Sequence, residues 1–135
     1  MPRRIVVVED NRADVFLIRE SIEGAGIDAR VDVVHDGEKA IQIFEQIDAD
    51  TCEPCPALVI LDINLPKRPG REVLSHIRRS RRCPQVSVLV VTSSDSERDR
   101  SDMSTLGVRG YFRKPSDYDD FMKLGAIVKQ LVCTD

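Results

Sequence analysis

The 135 residues contain no tryptophan, and aromatic residues make up only 4% of the chain, so tryptophan quenching cannot report on this protein. An excess of basic charge is also missing. Twenty Lys and Arg stand against 23 Asp and Glu, a net charge of −3, which removes the usual electrostatic reason to expect non-specific nucleic-acid binding. Long hydrophobic runs are absent too: the longest are Ile5 to Val8, Ala57 to Leu61 and Val86 to Val91, all far short of the roughly 20 residues needed to cross a bilayer. Arg3 and Arg4 precede the first of these runs, but Glu9 and Asp10 follow it almost at once, which is not a secretory signal. No membrane association and a cytosolic location are therefore expected. The four cysteines, Cys52, Cys55, Cys83 and Cys133, are too few and too scattered for a disulfide framework.

What remains is the composition of a soluble globular domain, 41% hydrophobic and 32% charged. The length suits one domain over residues 1–135, large enough to bury about two thirds of the surface exposed by the unfolded chain. Neither a repeat nor a linker interrupts it, and one such domain leaves no room for a separate output module.

Ile5 to Val8 is a continuous β-branched run, as expected of a strand buried on both faces of a parallel sheet. Asn11 can cap the helix that follows, with Asp14 in its first turn and Val15, Ile18 and Ile22 along one face, before Gly24 and Gly26 stop it. A strand is expected over Ala29 to Val34, and a helix from Gly37 that carries Ala40, Ile41, Phe44 and Ile47. Asp48 to Pro56 reads as a loop. Further strands are expected over Ala57 to Leu61, Val86 to Val91 and Val108 to Phe112. Between them lie a helix containing Val73, Leu74 and Ile77 and an unusually polar one over Asp95 to Leu106. The last helix opens at Ser116 and buries Phe121, Leu124, Val128 and Leu131. Five strands alternating with five helices imply an α/β fold, a doubly wound parallel sheet. Ligands of such sheets bind beyond the carboxyl ends of the strands.

The residues at those ends are Glu9 and Asp10, then Asp62, Thr92 and Lys114. Three carboxylates brought together would repel one another and raise at least one pKa unless a cation neutralises them. Mg²⁺ suits such a set, because it is held by one or two carboxylates, waters and a phosphate oxygen rather than by a full protein cage. Thr92 adds a hydroxyl and Lys114 a mobile positive charge for phosphoryl oxygens.

Four segments in order, Val6-Val7-Val8-Glu9-Asp10-Asn11, Val59-Ile60-Leu61-Asp62-Ile63-Asn64-Leu65-Pro66, Val90-Val91-Thr92-Ser93 and Gly110-Tyr111-Phe112-Arg113-Lys114-Pro115, give the chain a specific likeness. It resembles the receiver domains of two-component response regulators over essentially its whole length. The resemblance implies a flavodoxin-like (βα)5 fold with strand order 2-1-3-4-5. It implies that Asp62 is the phosphoacceptor for a phosphohistidine on a sensor histidine kinase. Glu9, Asp10, Asp62 and the backbone carbonyl of Asn64 would hold Mg²⁺, or Mn²⁺ in its place. Thr92 and Lys114 would contact the phosphoryl oxygens, and Thr92 with Tyr111 would form the switch that changes the surface of the fourth helix, fifth strand and fifth helix. On this reading the chain is a signalling protein, not an enzyme, and does not bind DNA.

Within the family it looks most like stand-alone receivers of the phytochrome-associated type, through Glu9-Asp10-Asn11, Pro66-Lys67-Arg68 and Gly70-Arg71-Glu72-Val73-Leu74. That likeness implies a photoreceptor kinase as partner and a homodimer through the same surface. Pro69 departs from the Asp that many receivers carry before the Gly. Two alternatives are an aspartyl-phosphate-forming phosphatase of haloacid-dehalogenase-like type and a protein-binding receiver that works without phosphorylation. The first generally needs an Asp two residues after the acceptor, where this chain has Asn64.

Other patterns carry less. Gly24-Ala25-Gly26 fits the letter of a dinucleotide fingerprint but follows a helix and precedes a strand, the reverse of the required context. Cys52 and Cys55 have the spacing of half a zinc site with no second pair, and read as an ordinary loop. Arg78, Arg79, Arg81 and Arg82 read as a solvated helix end, placed where cations favour the helix dipole.

Overall fold

The structure, a computed structural model, describes residues 3–133. Five strands, β1 (Arg3–Val8), β2 (Ala29–Val34), β3 (Leu58–Leu61), β4 (Val88–Thr92) and β5 (Gly110–Arg113), form one parallel sheet in the order β2-β1-β3-β4-β5. This is the flavodoxin-like order. The helices are α1 (Arg12–Gly24), α2 (Gly37–Ala49), α3 (Gly70–Arg78), α4 (Glu97–Thr105), α5 (Tyr118–Met122) and α6 (Leu124–Cys133).

The continuous apolar runs of the three central strands follow from their two buried faces. Val6, Val8, Val59, Leu61, Val88 and Val90 point to one side and pack with α2, α3 and Met103 of α4. Ile5, Val7, Leu58, Ile60, Leu89 and Val91 point to the other and meet Ile18 and Ile22 of α1, Phe121 of α5 and Leu124, Val128 and Val132 of α6. Two cores thus clamp the sheet and fix its register, because a slip by one residue would exchange them. The polar α4 contributes only Met103 as a fully buried residue, as its sequence foretells.

Several boundaries differ from the sequence expectation. β4 starts at Val88, because the carbonyl of Val86 is captured by Arg78 Nη1 at 2.8 Å rather than entering the ladder. The last helix is two segments, α5 and α6, separated at Lys123, where the N–H turns to Asp120 O at 3.2 Å. Its cap is Asp117, which accepts the Asp120 N–H at 3.0 Å, not Ser116.

The arginine cluster is a solvated helix end only in part: Arg79 and Arg81 are exposed, whereas Arg78 and Arg82 are clamps. Half-buried Arg78 donates to the carbonyls of Leu106, Pro84, Val86 and Gly107 at 2.8–3.1 Å, closing the α4–β5 turn onto the α3–β4 connection. Arg82 does the same for the loop before β3, donating to Ile47 O and Asp50 O at 2.7 and 2.8 Å and to Glu53 O at 2.5 Å. A rigid fork of donors suits the capture of several carbonyls at once.

The cysteine expectation also needs correction. Cys55 and Cys83 form a disulfide across 28 residues, while Cys52 and Cys133 are free and exposed. The sequence hid the pairing because the two cysteines lie 28 residues apart and meet only in the folded topology, in which Arg82 clamps the loop before β3 against the end of α3. Closing a loop of this length removes denatured-state entropy equivalent to roughly 3–4 kcal/mol. Dithiothreitol is therefore expected to lower the urea midpoint and to raise the number of alkylatable thiols from two to four, whereas an unchanged midpoint would contradict the stabilising role.

Candidate functional site

The sheet continues by one hydrogen bond past the end of each key strand, and these bonds place the polar cluster. Glu9 N–H donates to Val34 O at 3.0 Å, Asp62 N–H to Val8 O at 3.1 Å and Lys114 N–H to Thr92 O at 2.8 Å. Each functional side chain therefore leaves from rigid, paired backbone. Behind Asp62, Gly70 opens α3 at a place where a Cβ would lie 2.5 Å from the Asp62 carbonyl oxygen and 2.8 Å from Ile63 Cα. Only glycine lets the helix start so close to the acid.

Glu9 and Asp62 are 1% and 6% exposed, whereas Asp10 is exposed. One oxygen from each of the three lies within 4.8 Å of the others, the only such group able to hold a metal ion among the described residues. Lys114 compensates part of this charge. Its Nζ stands 2.7 Å from Glu9 Oε1, 3.1 Å from Asp62 Oδ2 and 2.7 Å from Asp14 Oδ2. Glu9 Oε2 accepts the Asn11 N–H at 3.1 Å, and Asp62 Oδ1 accepts the Asn64 N–H at 3.3 Å.

Glu9 carries the cost of this crowding. Burial pushes its pKa up from 4.5 to about 7, with the neighbouring Asp62 charge adding to the rise and hydrogen bonds from Lys114 and Asn11 only partly opposing it. Its Oε1 is buried and is met by the Lys114 ammonium at 2.7 Å. Burial alone would lower the Lys114 pKa, but bonds to Asp14 and Glu9 and the charge of Asp62 outweigh it and raise the pKa above its ordinary value. Three carboxylates, two of them nearly buried, make an all-oxygen, anionic donor set that fits a small hard cation such as Mg²⁺.

On the neighbouring strand ends, Thr92 is fully buried and its Oγ1 accepts the Ser94 N–H at 3.3 Å. Ser94 in turn accepts, through its carbonyl, the Tyr111 hydroxyl at 3.2 Å, and its own hydroxyl donates to Asp99 of α4 at 2.8 Å. The half-buried Tyr111 ring packs against the α2–α3 core, with the Arg100 guanidinium 5.2 Å from its centroid. Thr92 and Tyr111 are thus joined through one residue. Sequence reasoning brought Glu9, Asp10, Asp62, Thr92 and Lys114 to one end of the sheet, where they are found. It missed Asp14 as a Lys114 partner, seeing only a charge favourable to the start of α1, and it missed Ser94.

The Glu9 shift has a defined sign. Its folded-state pKa lies above the unfolded value, so its contribution to stability is full below pH 4.5 and is lost as the pH rises through about 7. In EDTA, the unfolding free energy of the wild type is expected to fall relative to that of Glu9→Gln between about pH 5 and pH 8. Parallel profiles for the two proteins would contradict the assignment.

Comparison with known proteins places the fold in a family. The response regulator receiver domain family matches residues 5–125. The chain is 34% identical over 123 residues to response regulator Rcp1 of Synechocystis sp., covering 91% of this chain and 84% of that protein. Its fold matches the crystal structure of the phosphorylated cyanobacterial phytochrome response regulator RcpA with a TM-score of 0.87 and 29% identity, over 99% of this chain and 96% of that one. It matches the Mn²⁺-bound form of response regulator Rcp1 with a TM-score of 0.87 and 32% identity, over 99% and 97% of the two chains. Since the match runs from β1 into α6 and takes in every strand end described above, the chain belongs to the response regulator receiver domain family.

Proposed function

We propose that this chain is a single-domain response regulator of a two-component phosphorelay, with Asp62 as the phosphoacceptor. The observation that carries the reading is the setting of Asp62. It is a nearly buried carboxylate at the end of a central strand, with an ammonium 3.1 Å from one oxygen and two further acids within metal-binding reach. In the reaction an Asp62 oxygen forms the new bond to phosphorus while the bond to the donor's imidazole nitrogen breaks and its electron pair leaves with the imidazole. The acceptor is already an anion, so no base is needed. The protein's work is to position groups and balance charge.

Glu9, Asp10 and Asp62, with the Asn64 carbonyl, are the groups that would hold Mg²⁺ or Mn²⁺. A divalent ion bound there supplies positive charge to the phosphoryl oxygens and relieves the mutual repulsion of the acids. Lys114 Nζ and the Thr92 hydroxyl are the donors for the remaining oxygens. A hydroxyl both accepts and donates, so the Ser94 contact leaves Thr92 a proton to give.

When Thr92 turns toward a phosphoryl group it gives up Ser94, and Ser94 holds both Tyr111 and α4. This is the route by which the added charge changes the surface of α4, β5 and the last helix, α5 with α6. The partner is a sensor histidine kinase, a phytochrome-like photoreceptor kinase by the likeness to Rcp1 and RcpA. The same surface is the candidate for homodimerisation, the output is the domain surface itself rather than DNA binding, and the location is the cytosol.

Incubation with acetyl phosphate and Mg²⁺ is expected to add one phosphoryl group by intact mass in the wild type and none in Asp62→Asn or in EDTA. Continuous release of phosphate from small esters would instead identify a phosphatase. An unchanged mass would identify a receiver that works without phosphorylation.

A further inference from the structure

Lys114 contacts three carboxylates, and only two of them, Glu9 and Asp62, belong to the metal-binding group. The third, Asp14, comes from a different element. It lies in the first turn of α1, its N–H donates to the Asn11 side chain at 3.0 Å, and its carboxylate reaches Lys114 Nζ at 2.7 Å across 100 residues of sequence. The capped helix fixes the Asp14 backbone, and the positive end of the helix dipole stabilises its charge. The Asp14 side chain is 22% exposed against 9% for Lys114, so it closes the solvent side of an otherwise buried ammonium.

An ammonium has three donors. Here all three face carboxylates. Once Glu9 and Asp62 turn their oxygens to a cation and Asp62 carries a phosphoryl group, two of these carboxylates are committed elsewhere, and Asp14 is the one that still holds Lys114 while its other donors face the phosphoryl oxygens. One position of Nζ already satisfies Asp14 at 2.7 Å and Asp62 at 3.1 Å together, so the Asp14 bond is compatible with contact to the reacting group. We propose that Asp14 is a positioning residue for phosphoryl transfer, keeping the Lys114 ammonium beside Asp62 through an anion that is not a metal ligand. The proposal rests on Asp62 being the phosphoacceptor.

The test compares Asp14→Asn, Asp14→Glu, Asp10→Asn and wild type. With saturating Mg²⁺ and acetyl phosphate, Asp14→Asn is expected to gain its phosphoryl group roughly tenfold more slowly, the size of one hydrogen bond to a charged partner, and Asp14→Glu to recover part of the rate. Calorimetric Mg²⁺ affinity is expected to stay at the wild-type value in Asp14→Asn and to fall in Asp10→Asn. In metal-free protein, acylation footprinting is expected to find Lys114 more reactive in Asp14→Asn than in wild type. Wild-type rates and wild-type Lys114 protection in Asp14→Asn would overturn the proposal. So would a loss of Mg²⁺ affinity equal to that of Asp10→Asn, which would make Asp14 part of the metal site. If the wild type itself takes no phosphoryl group, the phosphoacceptor reading fails first, and the Lys114 footprint still reports on the contact.

Discussion

The ammonium of Lys114 is what allows the carboxylates of Glu9, Asp14 and Asp62 to share one corner of the fold. Without it, two nearly buried acids would face each other in a medium where unscreened charge is costly. The compensation is deliberately incomplete in its chemistry: one cation serves three anions, and Asp10 adds a fourth carboxylate close by. The raised pKa of Glu9 is the local record of that imbalance. Such a site is receptive to further positive charge.

The sheet delivers these groups with little freedom of error. Parallel strands end at the same level, and the bonds from Glu9 to Val34, Asp62 to Val8 and Lys114 to Thr92 extend the ladder by one step beyond the regular strands. The two cores that fix strand register therefore also fix the spacing of the acids and the lysine. At the other end of the sheet the structure spends its stabilising devices, Arg78, Arg82 and the Cys55–Cys83 disulfide. The opposite end keeps the crowded charges, and the polar α4 beside it buries one methionine. Ser94 is the hinge between these tendencies, bonded at once to Thr92, Tyr111 and Asp99.

Much of this was legible in the residues. Continuous β-branched runs that stop at carboxylates announce central strands and their chemistry together, because burial on both faces leaves only the strand end for polar groups. Caps were legible where an Asx side chain stands three residues before its partner, as at Asn11. What escaped depends on contacts distant in sequence. The Lys114–Asp14 bond, the carbonyl clamps of Arg78 and Arg82 and the Cys55–Cys83 pairing all join segments whose proximity only the folded topology creates. The split of the last helix escaped for the opposite reason. Its apolar spacing is continuous through Lys123, and periodicity does not register a single tightened turn.

The most direct measurement of the central claim is the unfolding free energy of Lys114→Met against wild type in EDTA, followed by addition of Mg²⁺. Methionine keeps the apolar stem and removes the charge. A loss of about 3 kcal/mol in EDTA is predicted, as expected when one member of a buried ion cluster is removed, with Mg²⁺ stabilising the variant more than the wild type. A variant as stable as wild type in EDTA would contradict the role assigned to Lys114.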